Sequence, residues 1–213
     1  EALPAPPPKP KGPPRFAVDP AGAKVGFSRI LLDKPGGPGE LAKELGESKS
    51  YIDGKDVELD ADRKSKTTSV ILMLSALARD GAKSVTLKTG TREEYPNEVK
   101  FTPERLIRDP APCSVVAMVL EDRSTAVWRL SGTRALRHSR GLAGPDLSAT
   151  GDTIERLARG CPKSSAVFIS VAKGIEWGLA YDLAASTQKL KKVTLDTVVL
   201  LKQAPVAGRK VEL

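Results

Sequence analysis

The sequence repeats one long pattern. Residues 57–90, VELDADRKSKTTSVILMLSALARDGAKSVTLKTG, and residues 166–201, AVFISVAKGIEWGLAYDLAASTQKLKKVTLDTVVLL, both predict a strand, a polar break, an amphipathic helix, a turn and a second strand. A repeat of this length constrains the architecture more than any single motif does. When the first copy is moved along the sequence by one constant number of residues, the alternating apolar positions of the two first strands align. Val57, Leu59 and Ala61 then fall on Val167, Ile169 and Val171.

The helices of the two copies align at the same shift. Their apolar positions have the i, i+1, i+3, i+4, i+7 spacing of one buried helical face. Beyond the helix the second copy is shorter, because RDGAKSVTL in the first copy becomes KLKKVTL in the second, and turns tolerate such deletions. The aligned positions are Val70, Ile71, Met73, Leu74 and Leu77 in the first copy and Ala180, Tyr181, Leu183, Ala184 and Thr187 in the second.

The pattern also recurs upstream of each copy. Residues 15–33 and 114–132 each predict two short strands around a turn, and residues 39–46 and 150–160 each predict a helix, the second capped by Thr150 or Asp152. Each half therefore predicts a β-β-α-β-α-β unit. The predicted fold class is α/β (α+β), with two tandem units, each a small mixed sheet with two helices on one face. The predicted boundaries are 1–14 for a Pro-rich linker, 15–90 and 113–204 for the units, 91–112 for the connection and 205–213 for a tail.

These residues resemble the periplasmic domain of the ExbD/TolR family, the partner subunits of proton-driven energy-transducing motors. The family pattern has a strand, Ala-Asp, a polar break, an aromatic residue followed by Gly, an apolar helix, Ala-Gly-Val and a second strand. The first copy carries Ala61-Asp62 and Asp80-Gly81-Ala82, with Thr67 at the aromatic position. The second copy carries Trp177-Gly178, with Ala172 at the Asp position.

The resemblance implies a non-catalytic periplasmic interaction module of a cell-envelope complex for biopolymer transport or energy transduction. Its implied partners are envelope proteins or peptidoglycan, and an inner-membrane partner if a transmembrane helix precedes this sequence. Members of the family often act as dimers, so a chain with two fused copies is expected to be a monomer that contains its own pseudo-dimer. The family's proton-carrying carboxylate lies in an N-terminal transmembrane helix, and we therefore assign proton translocation to no residue here.

The stretch from Glu1 to Pro14 is rich in proline, with Pro at positions 4, 6, 7, 8, 10, 13 and 14. Such a run favours polyproline II and acts as a semi-rigid spacer. The sequence begins with Glu rather than Met and contains no apolar run of about 18 residues. We expect a removed signal or anchor and a protein tethered to the inner membrane.

The chain is basic, with 34 Lys and Arg against 26 Asp and Glu, for a net charge of +8 among 213 residues. This charge permits an acidic partner such as nucleic acid, anionic lipid or a cell-wall polymer. The positive charges are dispersed, and the densest cluster, residues 133–141 with Arg134, Arg137 and Arg140, has no interleaved aromatic residues. We predict a solvated loop there, and no nucleic-acid partner.

The motifs that could support catalysis or metal binding are weak. His138 is the only histidine, and it lies among arginines, so a Ser-His-Asp triad could form only around it. Asp60 and Asp62 could form an acid/base or metal pair, or simply a solvated strand end beside Arg63. The Gly-rich stretch 34–40 lacks the Gly-Lys-Ser/Thr ending of a phosphate-binding loop. We predict no catalytic residue, no cofactor and no metal site.

Cys113 and Cys161 are the two cysteines, and they lie too far apart in the sequence to form a C-x-x-C redox or zinc motif. Both precede predicted strands of the second unit, where they could be neighbours. A disulfide and two separate buried thiols are both consistent with this placement. The resemblance to an exported family favours the disulfide, because the periplasm is oxidising.

Trp177 and Tyr181 have the i, i+4 spacing on one predicted helix and therefore share a face. They either pack against the sheet or form an aromatic pair that faces a ligand. Together with Asp62 and the three arginines, they are the candidate interaction residues.

Two other functions compete with the envelope module: a stand-alone exported or lipid-anchored binding protein of unknown ligand, and an enzyme. The upstream gene sequence would separate the envelope module from the stand-alone binding protein.

Overall fold

Both halves of the chain contribute strands to one mixed β-sheet. The computed structural model describes residues 12–91, 93–162, 165–193 and 195–213. Within these ranges, the main sheet has 11 strands in the order β3-β2-β1-β4-β5-β6-β13-β12-β7-β8-β9. The strands from the first half are β1 Phe16–Asp19, β2 Gly22–Val25, β3 Ser28–Ile30, β4 Asp56–Ala61, β5 Ser84–Lys88 and β6 Glu98–Phe101. Those from the second half are β7 Val115–Val119, β8 Thr125–Arg129, β9 Leu136–His138, β12 Ala166–Val171 and β13 Thr197–Leu200, with a separate hairpin of β10 Arg140–Gly141 and β11 Gly144–Pro145.

The helices follow the order expected from the repeat. They are α1 Gly37–Glu47, α2 Thr67–Arg79, α3 Leu147–Ala158 and α4 Trp177–Thr187. Short 3₁₀ turns occur at Lys49–Tyr51 and Glu104–Leu106. Within the described ranges, no helix combines the length and apolar character needed to cross a membrane.

The strand order is the same in each half, read outward from the middle of the sheet. The first half runs β5-β4-β1-β2-β3 and the second runs β13-β12-β7-β8-β9, with β6 between the two sets. In each half the three strands nearest the middle are parallel and the outer strands are antiparallel. Strand β6 is antiparallel to β5 and parallel to β13, so it links the halves.

Two sequence predictions about the sheet need correction. We expected two small sheets, and the structure has a single sheet, because β6 arises from the predicted connection 91–112 and fills the gap between β5 and β13. We also expected two strands before the first helix of each unit, and each half has three in the main sheet, with the β10–β11 hairpin as an addition in the second half. The extra strands, β3 and β9, have three residues each, which is too short for a clear alternating pattern.

The four described helices pack on one face of the sheet. The parallel connections β1 to β4, β4 to β5, β7 to β12 and β12 to β13 each contain one helix, and these helices share a single apolar core with the inner face of the sheet. Helices α2 and α4 contact each other across the middle. The predicted helical face is buried at Val70, Met73, Leu74 and Leu77, and likewise at Ala180, Tyr181, Leu183, Ala184 and Thr187.

The opposite face of the sheet differs between the halves. In the second half it carries a smaller core that includes Trp128 and Phe168, and the C-terminal residues 207–211 pack over it. The indole Nε1 of Trp128 donates to the carbonyl of Arg209 at 3.0 Å. In the first half this face is polar, so β4 alternates between buried and exposed residues, whereas every residue of β12 is buried.

Local signals explain two helix boundaries. Helix α3 begins earlier than predicted, because the carboxylate of Asp146, rather than Thr150 or Asp152, caps it by accepting from the Ala149 amide at 3.0 Å. After α2, Gly81 has a φ of +103°, and a Cβ there would lie 2.1 Å from a carboxylate oxygen of Asp53. This turn therefore requires glycine.

Candidate functional site

The two halves meet through the loops that follow β4 and β12. Lys66 and Glu176 form an isolated antiparallel bridge, and they are equivalent positions of the repeat. The amides of Trp177 and Gly178 donate to the carbonyls of Ser65 and Arg63 at 2.9 and 2.8 Å. The first half thus supplies acceptors for amides at the start of helix α4 that have no partner within the helix. We call the contact of these two loops the junction.

An ion pair closes the junction. The guanidinium of Arg63 donates to both carboxylate oxygens of Asp182, at 2.7 and 2.8 Å, and also to the carbonyl of Gly90 at 2.7 Å. The hydroxyl of Thr91 donates to the same carboxylate at 2.8 Å. The Asp182 side chain is only 2% exposed. The hydrogen bonds from Arg63 to Asp182, with the negative charge of Asp182, raise the pKa of Arg63.

Trp177 and Tyr181, two of the candidate interaction residues, lie inside the junction. Both are fully buried, and their rings are 5.8 Å apart in an edge-to-face arrangement. The Trp177 ring also lies 6.2 Å from that of Phe101 in β6, and its Nε1 donates to the hydroxyl of Thr89 at 2.8 Å. Burial raises the pKa of Tyr181. The pair therefore packs against the sheet and does not face a ligand.

Thr67 occupies the position equivalent to Trp177 in the first half. Its hydroxyl donates to the carbonyl of Ile175 at 2.6 Å. The two copies thus have different side chains at this position of the repeat: a small hydroxyl residue in one, and a large indole in the other.

Asp62 lies away from the other candidates. It is exposed in the turn after β4, where its carboxylate accepts from the amide of Lys64 at 2.8 Å. Asp60 is bound by the guanidinium of Arg15 at 2.8 Å. The two carboxylates are therefore engaged in separate local contacts.

The three arginines lie along one end of the sheet, which we call the basic edge. Arg134, Arg137 and Arg140 are all exposed, and none forms an ion pair with any residue in the described ranges. The predicted loop is partly a strand: β9 pairs with β8 on one side and is the last strand of the sheet. Its outer side therefore leaves backbone groups available for pairing.

A shallow cavity of about 420 Å³ opens on the basic edge. It is lined by Asp122, Ser124, Arg137, His138, Ser139 and Arg140. The pKa of Asp122 is lowered, chiefly by hydrogen bonds from Ser124 and to a smaller extent by the charge of Arg137. The ring of His138 instead contacts the hydroxyl of Thr153, with Nε2 at 2.9 Å. The His, Ser and Asp of this cavity are not connected by the hydrogen bonds that a catalytic triad requires.

Cys113 and Cys161 are joined in a disulfide, with Cα atoms 6.0 Å apart. The bond ties the entrance of β7 to the segment that follows α3. Of the two arrangements that the sequence left open, the structure contains the bridge. In the described part of the chain, no group of three or more His, Cys, Asp and Glu side chains is placed to hold a metal ion.

A second concave surface was not predicted. The tip of the β2–β3 hairpin, the end of α1 and residues 12–15 enclose a groove of about 540 Å³, which we call the aromatic groove. Phe27 is 89% exposed at the hairpin tip, and Tyr51, which also lines the groove, is 47% exposed. One signal was present in the sequence: Phe27 directly follows Gly26, a residue type favoured in turns, and the structure places both in the β2–β3 turn, where Gly26 has a φ of +59°.

The chain was compared with known proteins. Comparisons with protein-family models, curated proteins and solved structures found no significant match.

Proposed function

We propose that this protein is a non-catalytic interaction module of the cell envelope, built as two ExbD/TolR-like units in one chain. The observation that carries the proposal is the junction, where equivalent loops of the two halves meet and their strands continue into one sheet. A family whose members often act as dimers would gain a permanent pair from such a fusion. The module then resembles a dimer in which each half has become specialised.

The common strand order of the halves supports two tandem units. In the arrangement that we propose, each unit has a β-β-α-β-α-β core with one additional short strand, β3 or β9, and the second unit also has the β10–β11 hairpin. The divergence of Thr67 and Trp177 supports fusion, because copies in one chain need not present identical surfaces to each other. The disulfide supports export to an oxidising compartment, and we propose the periplasm, with a tether to the inner membrane.

We propose that the basic edge binds the partner, an acidic envelope protein or peptidoglycan. Three exposed arginines that form no ion pair within the described ranges, although Arg137 lies close enough to Asp122 to lower its pKa, form a site that attracts carboxylates. The open side of β9 adds backbone donors and acceptors, so an extended acidic segment could pair with the edge as an additional strand. Inner-membrane proteins of a transport or motor complex are included in this class of partner.

Photocrosslinking in the cell tests this proposal. The full-length gene would be expressed in its own host with a photoreactive amino acid in place of Arg137, and a matched control would carry it in place of exposed Lys100 on the polar face of the sheet. We expect adducts with an envelope protein or peptidoglycan from position 137 and not from position 100. Adducts with cytosolic proteins, or equal labelling from both positions, would contradict the proposal.

Charge reversal provides a second readout for the same surface. A variant with Arg134→Glu, Arg137→Glu and Arg140→Glu should lose binding to the captured partner. A control with Lys64→Glu, Lys83→Glu and Lys189→Glu, three exposed residues elsewhere, makes the same change in net charge. Equal loss in both variants would show that net charge, and not the basic edge, determines binding.

A further inference from the structure

The aromatic groove has the size and composition of a binding site. Its volume of about 540 Å³ falls in the range of ligand pockets, roughly 300–1,000 Å³. Phe27 and Tyr51 both line it and expose large apolar surface, and such surface on a folded protein marks an interaction site more often than isolated exposed residues do. Neither side chain takes part in the core.

The lining residues indicate the chemistry of the occupant. Aromatic side chains with prolines alongside suit a polyproline II segment, whose extended backbone loses little conformational entropy on binding. Pro13 and Pro14 of this chain already line the groove with Phe27 and Tyr51. Glu44 and Glu47 also line it, and the lining residue Arg15 is already paired with Asp60 at 2.8 Å. A segment that carries Lys or Arg is therefore complementary in charge to the two glutamates.

This chain contains a segment with these properties next to the groove. Residues 4–11, PAPPPKPK, combine five prolines with Lys9 and Lys11, and they immediately precede Gly12, which lines the groove. At about 3.1 Å per residue, the segment 8–11 would extend roughly 12 Å in polyproline II. The short connection to residues 12–14 gives the segment a high effective concentration at the groove.

We propose that residues 8–11 bind in the aromatic groove of their own chain, with Lys9 and Lys11 facing Glu44 and Glu47. Binding shortens the free part of the Pro-rich tether by about 12 Å. The distance between the sheet and any anchor that precedes the tether is therefore variable. A second basic, proline-rich segment would compete for the groove and release the tether. This proposal does not depend on the basic edge or on the identity of its partner.

Paramagnetic relaxation enhancement tests the contact in the full chain. A nitroxide would be attached at Ala5→Cys, since the native cysteines are joined in a disulfide. We expect strong broadening of the amides of residues 26–28 and 47–51. Glu44→Lys with Glu47→Lys should reduce this enhancement at least threefold, and adding Lys9→Glu with Lys11→Glu should restore it. A control with Glu121→Lys and Glu212→Lys, exposed acidic residues away from the groove, should leave it unchanged.

Two results would overturn the proposal. The first is an enhancement that is the same in the charge-reversed and restored variants, because proximity along the chain alone would then explain it. The second comes from a mixture of two kinds of chain: ¹⁵N-labelled chains without a nitroxide, and unlabelled chains that carry one. If the amide signals of the ¹⁵N-labelled chains broaden in this mixture, the segment occupies the groove of a second copy. The first result leaves the envelope function untouched, so the two proposals fail separately.

Discussion

Arg63 and Asp182, which belong to different halves of the chain, form a two-point ion pair across the junction, with N–O distances of 2.7 and 2.8 Å. Arg63 belongs to the loop after β4, and Asp182 belongs to helix α4 of the other half. The pair holds the two halves at a fixed angle, because a planar guanidinium and a carboxylate can share two hydrogen bonds in only one relative orientation.

Replacement of Arg63 by Met should destabilise the protein by about 3 kcal/mol, because it leaves the carboxylate of Asp182 buried with only Thr91 as a neutral donor. The double variant Arg63→Met with Asp182→Leu should regain part of this loss. Urea unfolding followed by circular dichroism measures both changes. As a control, Lys100→Met removes a pair with Asp56 in which both side chains are exposed, and it should change stability by less than about 0.5 kcal/mol. Equal effects at Arg63 and Lys100 would show that the junction pair contributes no more than a surface pair.

Thiol titration of the denatured, unreduced protein should find no free thiol, because Cys113 and Cys161 are paired. Replacing both by Ala should lower the free energy of unfolding by about 4 kcal/mol, as the chain-entropy estimate gives for a loop of this length, with a sequence separation of 48. Two reactive thiols per chain in protein isolated from its host would contradict export to an oxidising compartment.

Acid should remove a stabilising contribution at Asp19. Hydrogen bonds from Arg29 at 2.9 and 3.0 Å lower its pKa from 3.8 to about 2, assisted by Lys24 and the amide of Ala21 and opposed by partial burial. Because the folded-state pKa is the lower one, the stabilisation is complete above about pH 4 and is lost as the pH falls towards 2. We expect about 1 kcal/mol after solvent screening. In unfolding experiments over this pH range, Asp19→Asn should be less stable than the wild type above pH 4, and the difference should shrink towards pH 2. A constant difference would contradict the assignment.

The long periodic elements could be predicted from the sequence, and the short ones could not. Helices α2 and α4 and strands β4 and β12 lie where the repeat places them, because apolar periodicity sustained over a whole helix is a strong signal. Strand β6 has only four residues, between segments rich in proline and charge. Its role depends on pairing with β5 and β13, which lie in different halves of the chain, and local pattern does not encode that pairing.

The candidate site was predicted only in part. The repeat predicted that two equivalent units occur, but their meeting point at Lys66 and Glu176 is a backbone bridge, and the Lys66 ammonium pairs with Asp33 instead. The side chains at these positions therefore gave no signal for the contact. The Arg63–Asp182 pair joins positions that are not equivalent, so the repeat could not reveal it. Trp177 and Tyr181 were identified as sharing a face, but which side of the helix covers the sheet depends on the packing of the second half against the first.

Sedimentation equilibrium of the purified protein shows whether one chain supplies both units of the pair. We expect a single species of 22.7 kDa at every concentration from micromolar to near-millimolar, because the seam between the halves is already filled by β6 and β13 of the same chain. A reversible increase to twice that mass with concentration would show that each chain still requires a second copy to complete its pair, and the proposed intramolecular pair would then be wrong.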